Sequence, residues 1–237
     1  MTNELLLIIS LAASFGGLLA FFCLFGKTGC SVWIALCTVL ANIEVAVLIK
    51  AFGMEQTLGN TLFASSFLAT DFLSEFYGKK EAGKAVKIGI ATSCVFILFS
   101  ALWPHYVPAS GDRAMAAVKM LFSGTPRILA SSLIAYAVSE LLDVRLYHAL
   151  WDLTKKKSGS GVKYLWLRNN AATLASQAVN IVLFNFGAFF GVYDMKTLAA
   201  ITASCYVIYI ATSLLDTPFL YIARRIHTMR KLRGAAR

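Results

Sequence analysis

The sequence predicts an all-α, polytopic transmembrane helical bundle. Three observations lead there: 58% of the 237 residues are hydrophobic, only 14% are charged, and the apolar residues gather into seven runs. A mean hydropathy of +0.69 stands far above that of soluble proteins. About 20 helical residues cross a hydrocarbon core some 30 Å thick, and the seven runs, 4–25, 32–52, 59–77, 84–103, 126–150, 168–191 and 196–223, match that length. The longest connections, 104–125 and 151–167, leave little for a domain outside the membrane. Residues 1–237 are therefore expected to form one transmembrane domain.

Taken in order, the first run carries Ala12, Gly16 and Ala20 at i, i+4, i+8, the spacing of a small-residue packing face. No Lys or Arg precedes Leu5 and no small-residue cleavage site precedes Lys27, so a retained helix is expected in place of a signal peptide. The second run contains Asn42 and Glu44; the third holds Thr70, then Asp71 and Glu75 one turn apart. Residues 110–124 are too polar and short to span, and suit either an interfacial amphipathic helix or an ordinary loop. The fifth run aligns Ser132, Tyr136, Ser139, Glu140 and Asp143 on about a third of a helix circumference. In the sixth, Asn169, Asn170, Thr173, Ser176, Gln177 and Asn180 share one face, opposite Leu174, Ala175, Val179 and Val182. The seventh supplies Tyr206, Tyr209, Ser213 and Asp216.

The formal charge of +10 reflects topology, not nucleic acid, because the basic residues sit in alternate connections. Lys27, the 79–87 cluster, the 155–163 cluster and the tail 224–237 lie on one side of an alternating seven-span chain. That side collects 15 Lys and Arg, or 17 with Arg145 and Arg168 near helix ends, against five on the other. Positive residues stay cytoplasmic, so the C-terminus is expected inside and the N-terminus outside the cell (inner) membrane. The tail is also placed to touch anionic lipid.

Several chemistries find no support. FGKTGC at 25–30 lacks the first glycine and the preceding strand of a phosphate loop, and no H-E-x-x-H or G-x-S-x-G motif occurs. Five cysteines form no C-x-x-C pair. An enzyme, a resident metal and a cofactor are not expected.

A carboxylate in hydrocarbon costs at least about 2.5–3.5 kcal/mol, so intramembrane acids should face the bundle interior. Single Ser, Asn or Gln residues can serve as interhelical glue; polar faces on five helices together imply a cavity or several buried networks. Asn42, Glu44, Thr70, Asp71, Tyr136, Glu140, Gln177 and Asn180 form a candidate solute site near the midplane. Glu75, Asp143, Arg145, Arg168 and Asp216 form a candidate inner ion-pair network that gates it or anchors the membrane face, Arg168 being suited to bidentate pairing.

These motifs resemble the queuosine-precursor transporter family, also called the vitamin uptake transporter (VUT) family. The matching pieces are ANIEVAVLIKAFGMEQTLGNTLFASSFLATDFLSEFYGKK (41–80), PRILASSLIAYAVSELLDVRLYHAL (126–150) and LWLRNNAATLASQAVNIVLF (165–184). Within them stand Asp71, Glu75, Tyr77 and Gly78; Arg127, Ser131 and Asp143; and the W-L-R-N-N run at 166–170. The likeness covers about 32–225 and implies a six-helix core similar to the substrate-binding S-components of energy-coupling-factor transporters, with span 4–25 as an additional N-terminal helix. It also implies import of queuine or another 7-deazaguanine for tRNA modification. Glu140 departs from the uncharged Gln expected in many relatives.

The residues suit such a solute. A guanine-like edge pairs N–H donors with a carbonyl: Glu140, Glu44 or Asp71 can accept, Gln177, Asn180 or Asn42 can do either, and Phe63, Phe67, Tyr136 or Trp166 can stack on the ring. Expected partners are a small deazapurine base and membrane lipid, with a homo-oligomer or coupling partner left open. A lone facilitator, proton coupling through an acid such as Glu140, and a capture subunit serving a separate ATP-driven partner remain alternatives at this point.

Overall fold

Helix α1, Asn3–Glu44, is too long to be straight: its 42 residues would reach about 63 Å. Yet Asn3 Nδ2 donates to the Lys50 carbonyl (2.9 Å), and Glu4 accepts from the Phe52 N–H (3.1 Å). The chain turns back at Gly26, whose φ of 59° and ψ of −133° break the helix. Two antiparallel helices result, in register: Gly17 lies against the Trp33 indole, the Phe21 ring meets Trp33 at 5.2 Å, and Gly29 presses on the Phe21 carbonyl. The Trp33 indole N–H donates to Ser65 Oγ (2.6 Å), tying this pair to the next helix. The computed structural model describes residues 2–123, 126–159 and 163–235.

The stripe Ala12, Gly16 and Ala20 does not make this contact. All three residues are exposed, and it is Gly17 and Gly29, on the neighbouring faces, that let the backbones approach. A correction also applies to the second span, which stops at Glu44 instead of 52. Strands β1, Leu48–Ala51, and β2, Met54–Thr57, form a hairpin beyond it. Its two-residue loop, Phe52-Gly53, has positive φ at both positions (52° and 74°), the geometry that matches strand twist. β-Branched Val47 and Ile49 next to a Phe-Gly turn favour strand over helix, so Glu44 sits at a helix end, not mid-span.

Helix α2, Asn60–Tyr77, is the axis of the bundle, with every residue from Asn60 to Ser74 buried except Phe63. It packs on α1 and on three helices that follow: α3, Lys79–Leu102; α5, Pro126–Ser158; and α7, Met195–Ala235. Gly78, at φ 85°, turns the chain from α2 into α3 with no loop. Beyond the 3₁₀ turn Trp103–His105, the described part of the 110–124 stretch, 110–123, contains helix α4, Met115–Phe122, started by Asp112 accepting from the Met115 N–H (2.7 Å); residue 124 lies outside the described residues. Phe122 anchors α4 edge-on to Trp103 (5.3 Å) and Phe96 (6.1 Å).

Helix α6, Leu165–Phe189, lies between α5 and α7. Its last carbonyls are capped by Arg127, which donates to Gly187 O (2.7 Å) and Phe190 O (2.6 Å). Asp194 caps the opposite kind of end, the start of α7: the Thr197 hydroxyl and the Thr197 and Lys196 N–H groups donate to its carboxylate and hold it below the ordinary carboxylate range.

Among the described residues, α1, α3 with its 3₁₀ extension, α6 and α7 are long and apolar enough to cross a membrane. With α1 folded double and the polar-faced α2 and α5 added, the bundle has the seven transverse segments expected. The Gly26 turn, the Gly78 corner and the end of α7 meet at one end, joined by the Lys27–Glu81 pair (3.3 Å) and by Arg230 on the Cys23 carbonyl. This is the basic end. The hairpin, α4 and the turn before α7 form the opposite one.

A side chain at Gly29 has no room, whereas Gly16 faces open space. Gly29→Leu should therefore lower stability by about 1–3 kcal/mol through overpacking, while Gly16→Leu should leave the detergent-solubilised thermal midpoint essentially unchanged.

Candidate functional site

Lipid offers α6 no hydrogen bonds, so its polar face must find partners inside. The face is buried along its whole length, from Arg168 to Asn185. From the basic end upward, Asn169 Nδ2 donates to Asp216 Oδ1 on α7 (2.8 Å), and Asn170 bonds Thr217 (2.8 Å) and Ser213 (3.1 Å). Thr173 donates to Asp71 on α2 (3.3 Å), Ser176 to Asp143 on α5 (2.8 Å). Asn180 then contacts Gln177 and Ser139, both at 3.4 Å.

At the basic end, Arg168 is fully buried and grips Glu75 with both forks: Nη2 to Oε1 (2.8 Å) and to Oε2 (2.6 Å), with Nε to Oε2 at 3.2 Å. The guanidinium lies 4.2 Å from the Trp151 ring centroid, and its Nη1 donates to the Lys163 carbonyl (3.1 Å). Tyr147 donates its hydroxyl to the same Glu75 (2.8 Å), and Arg224 approaches at 3.8 Å. Loop, α2, α5, α6 and α7 are closed together at this one point.

At the hairpin end, a cavity of about 60 Å³ opens between the hairpin, α2, α5, α6 and α7. Its polar lining is neutral: the amides Gln56, Asn60, Asn180 and Asn185, with Thr57, Ser132 and Tyr209. Phe63, Phe184, Phe189 and Tyr193 supply aromatic walls. Asn60 organises the floor, accepting from Tyr209 and Thr57 (both 3.2 Å) while its Nδ2 reaches Gln56 (3.4 Å). Asn185 is held by Thr202 (3.2 Å).

Of the eight sequence-derived solute residues, the cavity includes Asn180. Gln177 is one turn deeper, with its Nε2 unpartnered. Glu140 is wholly engaged by Ser66 (2.7 Å) and Thr70 (3.1 Å) and does not reach the cavity. Asp71 lies deeper still, beside Thr173. Asn42 joins α1 to α3 through Ser93 (3.0 Å), and Glu44 is half-buried at the end of α1. Tyr136 packs near Phe63 (6.3 Å between centroids) with its hydroxyl unpartnered. Of the stacking candidates, Phe63 lines the cavity, Phe67 is buried in the core and Trp166 is exposed. The inner network brings Glu75 and Arg168 together and keeps Asp143 and Asp216 on α6 donors; Arg145 is exposed and has no ion pair among the described residues. It falls on the outer face of α5 because Asp143 and Tyr147, two residues to either side, take the inward positions.

Sequence reasoning missed Gln56, Asn60 and Asn185. The first two belong to the hairpin and helix start that were read as membrane-spanning or connecting chain, and Asn185 lies off the Asn169–Asn180 stripe.

Removing one partner of a buried, hydrogen-bonded ion pair leaves a bare charge, at a cost of about 3–5 kcal/mol. Arg168→Met should lose stability of that order, and Arg168→Met with Glu75→Met should recover most of it; unfolding in detergent across the double-mutant cycle measures the difference.

The family described as "Putative vitamin uptake transporter" matches residues 57–223, from the end of the hairpin to the last turns of α7. A protein of Bacillus subtilis (strain 168), named "Probable queuosine precursor transporter", is 37% identical over 204 residues, covering 85% of this chain and 86% of its own length. No solved structure matches the chain. A seven-segment bundle with a neutral polar cavity at one end, a buried ion pair at the other, and this extent of likeness make the chain a multi-pass membrane transport protein that belongs to the vitamin uptake transporter family.

Proposed function

We propose that the chain imports a queuosine precursor or salvage base, queuine or another 7-deazaguanine, and that the base binds in the hairpin-end cavity. The observation that carries this is the cavity's lining: four amides and the hydroxyls of Thr57, Ser132 and Tyr209 beside aromatic rings, with no charged side chain among the described lining residues. A neutral bicyclic base offers adjacent donors and acceptors, and amides answer both. Phe63, Phe184 or Tyr193 can cover its faces. Buried amides left unpaired by an analogue would reject it. The acceptor role first assigned to carboxylates thus falls to Asn60, Asn180 and Gln56.

A cavity of about 60 Å³ is well below the roughly 300–1,000 Å³ of small-molecule sites. In this proposal the cavity is a contracted form of the binding site. The hairpin supplies Leu48, Gln56 and Thr57 to the lining, and its outward movement would enlarge the site while Arg168–Glu75 keeps the other end shut. The basic end faces the cytoplasm in this proposal, and the hairpin faces outside; a C-terminal reporter active only in the cytoplasm should be active.

Purified protein should gain thermal stability with queuine or its aminomethyl precursor, by about 2.7 kcal/mol at a hundredfold excess over Kd. Asn60→Leu and Asn180→Leu should lose that gain and fail to restore queuosine in the tRNA of salvage-dependent cells. The lipid-facing Val182→Ala should behave as the parent. Binding by the parent without uptake into liposomes would assign it instead to capture for a separate energising partner.

A further inference from the structure

We infer that Asp71, Asp143 and Asp216 form a proton-binding site, placed between the cavity and the Arg168–Glu75 closure, through which import of the base is coupled to entry of protons. The inference rests on the import proposed above. The three acids come from three helices, are at most 1% exposed, and meet on the α6 stripe at Thr173, Ser176 and Asn169. Three carboxylates confined together out of water cannot all be ionised.

What the site lacks is donors. Asp71 Oδ1 and Asp143 Oδ2 have no hydrogen-bond partner. Asn169, wholly buried, gives its Nδ2 to Asp216 and leaves its own Oδ1 without one. These are three orphaned acceptors in one neighbourhood. A proton on a carboxyl group turns an acceptor into an O–H donor and removes one negative charge, which answers both deficits at once. The described Asp, Glu, His and Cys side chains do not converge as the ligands of a metal ion would.

The charged and titratable surroundings agree. Asp71 faces Asp143 and Glu140 from α5, Asp216 from α7, and the Thr173 hydroxyl from α6, while Lys27, Arg168 and Arg224 form their ion pairs with Glu81 and Glu75. Tyr147 donates its hydroxyl to Glu75 and feels the charge of Asp71 as well, and the nearby Arg168 is committed to Glu75. Glu140, with both oxygens bonded to Ser66 and Thr70, and Cys37 of α1 beside it, lies at the cavity side of the cluster. The polar stripe from Asn180 to Arg168 rises about 18 Å along the helix. It thus spans the distance between the solute cavity and the closed end.

In this scheme a proton enters from the hairpin side and binds one carboxylate, removing one negative charge from the cluster as the base binds. When the closed end opens, the proton leaves to the cytoplasm with the base, and the carboxylate is restored.

The test uses the full-length protein in liposomes with labelled queuine, an imposed inward pH gradient and a pH-sensitive dye in the lumen. A gradient of one unit should drive up to about tenfold accumulation for one proton per base, with lumenal acidification that requires the base. Asp71→Asn and Asp143→Asn should keep base binding within about twofold, reduce gradient-driven accumulation to none, and abolish the acidification. A carboxyl C=O band that titrates in infrared difference spectra of the parent should disappear in the same variants. Parent uptake indifferent to the gradient, or variants that still accumulate, would overturn the proton site. If the parent binds no base, the proposed solute fails, and the infrared band still decides the proton site by its loss or persistence in the variants. Should both variants fail to fold, base-dependent acidification by the parent decides alone.

Discussion

Hydrocarbon cannot satisfy a hydrogen bond, and that single constraint sets the rotation of four helices in this bundle. The α6 face from Arg168 to Asn185 carries more polar groups than one neighbour can serve, so α2, α5 and α7 each turn a carboxylate or hydroxyl toward it. Slipping any of them by a residue would strand a buried polar group at a cost of about 1–3 kcal/mol, and more for a charged one. The register of the bundle is thereby fixed by polar contacts, while apolar packing around Phe15, Phe22, Phe72 and Leu68 fills the space between.

Along that face the chemistry changes with depth, and in the proposed scheme the change separates three tasks. Neutral amides and aromatic rings surround the cavity at the hairpin end. Carboxylates supplied with too few donors occupy the middle. An arginine with more partners than it needs for charge balance, Glu75 together with Tyr147, Trp151 and the Lys163 carbonyl, holds the basic end. Recognition of a neutral base, response to protons and closure can thus reside on one helix without competing for the same side chains.

Two glycines and a tight turn make the frame possible. Gly26 reverses α1, so its N-terminal half packs back along its own chain; Gly78 drops α2 straight into α3, keeping Glu75 close to the corner. The family match begins at residue 57, yet Asn3 and Glu4 of the preceding helix hold the hairpin backbone at Lys50 and Phe52. The N-terminal helix is therefore coupled mechanically to the strands that border the cavity.

The sequence by itself determined the membrane bundle, its seven apolar segments, the inward faces of α5 and α6, and the partnership of Arg168 with an acid, because hydropathy and helical periodicity are local properties of the chain. It also singled out Asp143 and Asp216, although as members of an ion-pair network and not as acids bonded to the neutral α6 donors Ser176 and Asn169. Which polar groups share a space was decided only by the tertiary structure. Glu140 looked available until Ser66 and Thr70 claimed both its oxygens, and Arg145 looked inward until Asp143 and Tyr147 took the buried side of α5. Asn60, Gln56 and Asn185 came together because a hairpin replaced the end of a presumed span and set two of them opposite a third from another helix. Such a meeting depends on distances between segments far apart in the chain, and no pattern within a single segment encodes them.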